Sequence, residues 1–202
     1  MKFNPPNPSV QVNRLTSLFP NLKPGNVLER AKEMGDEGLL ILPSFTSISG
    51  NYGHACHHAL MALSWLLGRV YNAKLYMDRT YDSHIKRLWP TMGVVECPEF
   101  GITHNGHLFP LKIDCAKEES EIPLGFFGGI MMMIADPSMV IEGELGKVLN
   151  FPGSSVNIND DVHTAFAHTG EMLTIGLRRP LGDNPWHQYA NVLHTKEVAV
   201  AA

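Results

Sequence analysis

The sequence predicts an α/β domain, a single layered unit with a mixed or mostly parallel sheet flanked by helices and preceded by an extended N-terminal arm. Three observations predict it. Short apolar runs bounded by Gly and Pro alternate with segments whose apolar residues recur every three or four positions. At 202 residues the chain is long enough for one substantial core and short for two. Its 44% hydrophobic and 18% charged content is that of an ordinary globular protein. The expected divisions are an arm at 1–25, a domain at 26–196 and a tail at 197–202.

The arm is expected because Pro5, Pro6, Pro8, Pro20 and Pro24 crowd it, and proline neither donates to a strand ladder nor continues a helix. Asn26 to Glu29 has the capping-box form and opens a short helix ending near Gly35. Gly38 to Pro43 reads GLLILP, a strand covered on both faces, followed by a Ser/Thr/Gly/Asn loop over 44–53. His54 to Gly68 spaces Ala55, Ala59, Ala62, Leu63, Leu66 and Leu67 as one stripe of an amphipathic helix. Ala73 to Met77 is the next strand, and Ser83 to Trp89 the next helix, stopped by Pro90. Short β-like pieces are expected at 93–96 and 108–114.

Phe126 to Ile134 is the most apolar strand candidate. Asp136-Pro137 then offers an N-cap and a first-turn proline for a helix reaching Leu149. Asn159 or Asp160 caps a further helix through His168, closed by Gly170, and Met172 to Leu177 is the last strand.

Composition excludes several classes. A net charge of −4 with no cluster of cations gives no reason for nucleic acid or an anionic membrane to be the partner. The longest apolar run, Ile122 to Ile134, falls short of the ~20 residues that span a bilayer. The N-terminus has no apolar signal segment, so the expected location is cytoplasmic, or the virion for a component of a viral assembly. Three cysteines without a CxxC pair form neither a disulfide scaffold nor a zinc ribbon. No GxSxG elbow, phosphate loop or GxGxxG occurs.

Four constellations have residue types suited to chemistry. Asp160 and Asp161, expected at a helix start, would stay ionised there and suit a general base or metal ligand, or else cap the helix and nothing more. Asp78 and Asp82, expected after a strand, would offer oxygen ligands to a divalent cation, or simply form a surface turn. Cys56 near a helix start, with His107 and Asp114 later, follows the order of nucleophile, base and orienting acid in papain-like thiol hydrolases, unless Cys56 faces the core. His54 and His58 have the four-residue spacing of two zinc ligands, although ten histidines make chance pairs common.

The C-terminal ~70 residues read as one pattern: Gly128-Gly-Ile-Met-Met-Met133, then Asp160-Asp161-Val-His, Gly170, and Arg178-Arg-Pro to Trp186. This resembles the second half of GT-A glycosyltransferases, in which a Gly-containing strand lines the acceptor site and an acidic pair opens the following helix. The resemblance implies sugar transfer from a nucleotide-sugar donor, with Asp161 as base beside Asp160, Asp78 at the Asp-x-Asp metal position with Mn²⁺ or Mg²⁺, and His187 or His194 as a late metal or diphosphate contact. Here the metal motif reads Asp78-Arg-Thr, a departure that weakens the metal expectation. The competing reading is a non-catalytic subunit of a viral or other assembly, a homo-oligomer or a chain ordered by its neighbours through the proline-rich arm and the small apolar tail.

Overall fold

The computed structural model describes residues 5–33, 39–77, 89–90, 100–110, 121–123, 125–141, 148–151, 154–155, 163–169, 172–178 and 187–193. These residues form both helices and strands, as the alternating pattern predicts.

The first element corrects the expectation of an extended arm: Pro8–Leu18 is a helix, α1. Its prolines bracket the helix and leave its interior intact. Asn7 caps it by accepting the Ser9 N–H at 2.9 Å, Pro8 takes the first turn where no N–H is needed, and Pro20 and Pro24 follow the end. Pro8, Gln11, Val12 and Leu15 form its buried stripe.

α2 spans Val27–Glu33, and β1, Leu39–Pro43, is buried along its whole length. The expected loop after β1 contains a short helix, α3, at Phe45–Ile48, with Ser44 as its N-cap. α4 then runs Tyr52–Tyr71, longer at both ends than the apolar stripe alone predicts. Asn51 caps its start by accepting the His54 N–H at 3.1 Å. Asn72 ends it in the left-handed region at φ 52°, a conformation that asparagine tolerates better than most residues. β2 follows at Lys74–Met77, as expected.

β3 is Trp89–Pro90, β4 is Phe100–Pro110 and β5 is Glu121–Pro123. The expected strand at 126–134 is instead a helix, α5, Phe126–Ala135. An apolar run of this length has no periodicity to separate a buried strand from a buried helix. Composition does not separate them either, since Met131, Met132, Met133 and Ala135 favour a helix while Phe126, Phe127, Ile130 and Ile134 favour a strand; the helix is buried on nearly every side. The helix expected to run to Leu149 shrinks to α6, Ser138–Ile141, and Val148–Phe151 is a strand, β6. β7 is Ser154–Ser155. The helix expected from Asn159 or Asp160 to His168 is replaced by β8, His163–Thr169, paired register by register with β9, Met172–Arg178. The stretch His163-Thr-Ala-Phe-Ala-His-Thr169 has no polar–apolar alternation, so its strand character rests on the pairing with β9 and not on a local pattern. β10 is His187–Leu193.

Backbone pairing runs β1-β4-β10-β6-β8-β9-β2, with β5 also against β10 and β3 paired separately with β7. The ladders are mixed but mainly antiparallel, with β10–β6 and β2–β9 the parallel pairs among the described residues. A mostly parallel sheet is therefore corrected to a mixed one.

The core sits where α1, α4 and α5 meet β1. Leu39, Leu40, Ile41, Leu60, Leu63, Leu67, Phe126 and Ile130 are fully buried there. Polar contacts fix the helices around it. Arg14 on α1 donates to the Ile134 and Ala135 carbonyls at 2.9 and 2.6 Å, satisfying two end groups of α5 that have no partner within the helix. The Phe127 N–H at the other end of α5 donates to the Tyr52 hydroxyl at 3.2 Å. Tyr52 also stacks edge-to-face on Phe45 at 5.3 Å between centroids, so the starts of α3, α4 and α5 converge.

Candidate functional site

Chemistry expected from spaced acids needs those acids brought together, and Asp78, Asp82, Asp160, Asp161, Asp114 and His194 all lie outside the described residues. His187 opens β10, in register with Val148, and His107 lies on β4 opposite Asn191 of β10, so two of the candidate histidines stand on neighbouring strands. Among the described residues no group of three or more His, Cys, Asp or Glu is placed to hold a metal ion.

Cys56 is placed clearly, and its place corrects the thiol-hydrolase reading. It lies in the second turn of α4, fully buried beside the core residues Ala55 and Ala59. Burial pushes its thiol well above the ordinary range, because a thiolate would lose its hydration; a hydrogen bond with the Tyr52 side chain pulls the other way and is the weaker effect. An activated nucleophile needs the opposite shift and an approach for substrate. Cys56 is a core residue.

The outward face of α4 is different. Burial of Ala55, Cys56, Ala59, Leu63, Leu66 and Leu67 turns His54, His58, Met61 and Trp65 away from the core, and all four are exposed. Met61 is 51% and Trp65 52% exposed, which leaves two large apolar side chains four residues apart in water. Arg69, a further turn on, stacks its guanidinium over the Trp65 ring at 4.9 Å. A cleft of about 350 Å³ opens beside this stripe. Leu18, Phe19 and Leu22, from the end of α1 and the turn after it, line it together with Ile48, Met61 and Ala62, while His58 and Ser47 supply polar atoms. The cleft exists because α1 is a helix that ends at Leu18 and turns back at Pro20 over α3 and α4.

Asn21 adds a further polar group, so the lining of the cleft is mixed, and the half-exposed Trp65 stands one turn of α4 beyond Met61. The signal of this surface in the sequence is the presence of Met61 and Trp65 at positions that the stripe of α4 assigns to water. No protein-family model matches this chain, and neither a curated protein nor a solved structure matches it.

Proposed function

We propose that this chain is a non-catalytic subunit of a homo-oligomer or larger assembly, and that the outward face of α4 with its adjoining cleft is its contact surface. The observation that supports this reading is the pairing of half-exposed Met61 and Trp65 beside the cleft. Arg69 covers part of the Trp65 ring within the chain, and a contact would bury the rest of it together with Met61. On this reading residues 26–196 are one layered α/β domain with α1 packed onto it, so that the N-terminal segment completes its own core and leaves α4 for the neighbour.

Sugar transfer is the weaker reading. Its pattern needs a strand at 126–134 and a helix opened by Asp160 and Asp161, where the chain has α5 and β8. A nucleotide-sugar partner, Mn²⁺ or Mg²⁺, and the roles of Asp78, Asp82, Asp160, Asp161, His187 and His194 all belong to that reading. Among the described residues no helix is long and apolar enough to cross a membrane.

Light scattering of the full chain across a concentration series tests the assembly reading. The expected result is a mass above that of one chain, with Trp65→Asp raising the dissociation constant about 30-fold, the ~2 kcal/mol typical of a central aromatic contact. A wild-type mass of one chain at all concentrations would refute the homo-oligomer.

A further inference from the structure

Among the described residues β1 has a strand on one side only: Leu39–Pro43 pairs with β4, and α1 packs against the strand. Successive residues of a strand turn their N–H and C=O groups to opposite edges. The Ile41 N–H faces α1, so the backbone groups of Leu39 and Ile41 lie on that edge and those of Leu40 and Leu42 on the β4 side. α1 meets the edge with one side chain. Gln11 Nε2 donates to the Leu39 carbonyl at 2.6 Å, and its Oε1 accepts the Ile41 N–H at 2.9 Å. The two bonds straddle Leu40, which is the pattern that one residue of a parallel strand makes with its neighbour. Nε2 also donates to the Pro6 carbonyl at 2.7 Å, so both of its hydrogens are used.

The edge covered in this way is one that adds strands readily when open. Leu39 to Leu42 is an uncharged aliphatic run, and an open edge of that composition is a template for another extended chain. Apolar packing and a cation hold the helix in place: Val12 and Leu15 are buried in the core, and Arg14 donates to the Ile134 and Ala135 carbonyls of α5. We infer that α1 is a cover for the β1 edge, with the Gln11 carboxamide standing in for a strand residue, and that release of α1 turns this edge into an acceptor for an extended apolar segment. Gln11 is the residue that separates a cover from a helix merely packed nearby, because Val12 and Leu15 alone would dock α1 without engaging the edge. The groups that an added strand needs are the ones Gln11 already holds, so α1 and such a strand exclude each other. The inference is independent of the α4 face.

Native-state hydrogen exchange on the full wild-type chain, in urea well below the unfolding midpoint, tests the cover. The Ile41 N–H is expected to exchange together with the amides of α1, Leu15 among them, and at least about tenfold faster than the Leu40 and Leu42 N–H groups on the β4 side. Ile41 exchanging at the rate of Leu40 and Leu42 overturns the inference. Gln11→Met, which keeps the length of the side chain and loses both bonds to β1, tests the acceptor edge by light scattering and amide infrared absorption. Expected is association with an intermolecular β band that the wild type lacks and that persists when Trp65→Asp is added. Ile130→Ala, a destabilising change that leaves Gln11 and its bonds in place, is the control and should not show the band. Gln11→Met remaining at the wild-type mass overturns the inference, as does equal association of Ile130→Ala, which would make general unfolding the cause.

Discussion

At the scale of single residues, Gln11 shows how a side chain can take the place of a strand. β1 ends the backbone pairing order, so among the described residues no strand lies along one of its edges. Buried Gln11 supplies what a neighbour would: its Nε2 donates to the Leu39 carbonyl at 2.6 Å and its Oε1 accepts the Ile41 N–H at 2.9 Å. The same Nε2 donates to the Pro6 carbonyl at 2.7 Å and so ties the segment before α1 to the strand. An unpaired buried backbone group costs about 1–3 kcal/mol, and truncation strands two of them. Gln11→Ala is therefore expected to lower unfolding stability by about 2–4 kcal/mol, measured as a fall in the urea midpoint at an unchanged slope. Nothing in the sequence announces this role, since Gln11 falls in a proline-rich segment that reads as an extended arm.

Cys56 leads to a second expectation of the same kind. Its burial should keep it unreactive toward iodoacetamide in the native state and reactive once urea unfolds the chain; rapid native labelling would contradict its placement. Because the folded thiol titrates above the unfolded one, both states hold the proton below pH ~8.5. Above that pH the unfolded state releases its proton first and is favoured, so stability falls as pH rises from there toward the folded value. Cys56→Ala should reduce that alkaline fall.

At the scale of elements, legibility followed periodicity. α4 was readable because its stripe repeats at helical spacing over several turns, and β1, β2 and β9 because short apolar runs lie between turn residues. α1 is masked in the sequence by its prolines, which suggest an extended segment although their places relative to Asn7 bracket a helix. α5 was hidden because a helix buried all round has no polar face to mark its period. In β8 the Asp-Asp pair suggests a cap, and no alternation after it marks the strand that the pairing with β9 makes. The packing of α5 against α4 is the central helix contact, and Ile130 is fully buried in it. Ile130→Ala is expected to cost about 2–5 kcal/mol in thermal or urea unfolding, the range for a large-to-small change in a close-packed core. Were α5 an exposed or loosely packed segment, the loss would stay under about 1 kcal/mol.

For the whole molecule, the candidate chemistry and the candidate contact surface divide along the chain. The contact surface, on α4 and the turn after α1, was partly legible: His54 and His58 stood out by spacing, but Met61 and Trp65 became informative only once the buried side of the helix was known. The cleft depends on α1 folding back, a tertiary event that no local pattern encodes. Sugar transfer needs Asp78 and Asp161 at one site; the strand before Asp78 is as expected, whereas the element after Asp161 is a strand in place of the expected helix, and both acids lie outside the described residues. Function at this scale therefore rests on whether the outward face of α4 is covered in solution.

Methionine oxidation tests this with its own internal reference. Met61 is half exposed while Met131, Met132 and Met133 of α5 are buried, so dilute peroxide followed by mass spectrometry reads both sites in one sample. Met61 is expected to oxidise readily at low protein concentration and to be protected at high concentration, with the three α5 methionines slow throughout. A Met61 rate that does not change with concentration would contradict it.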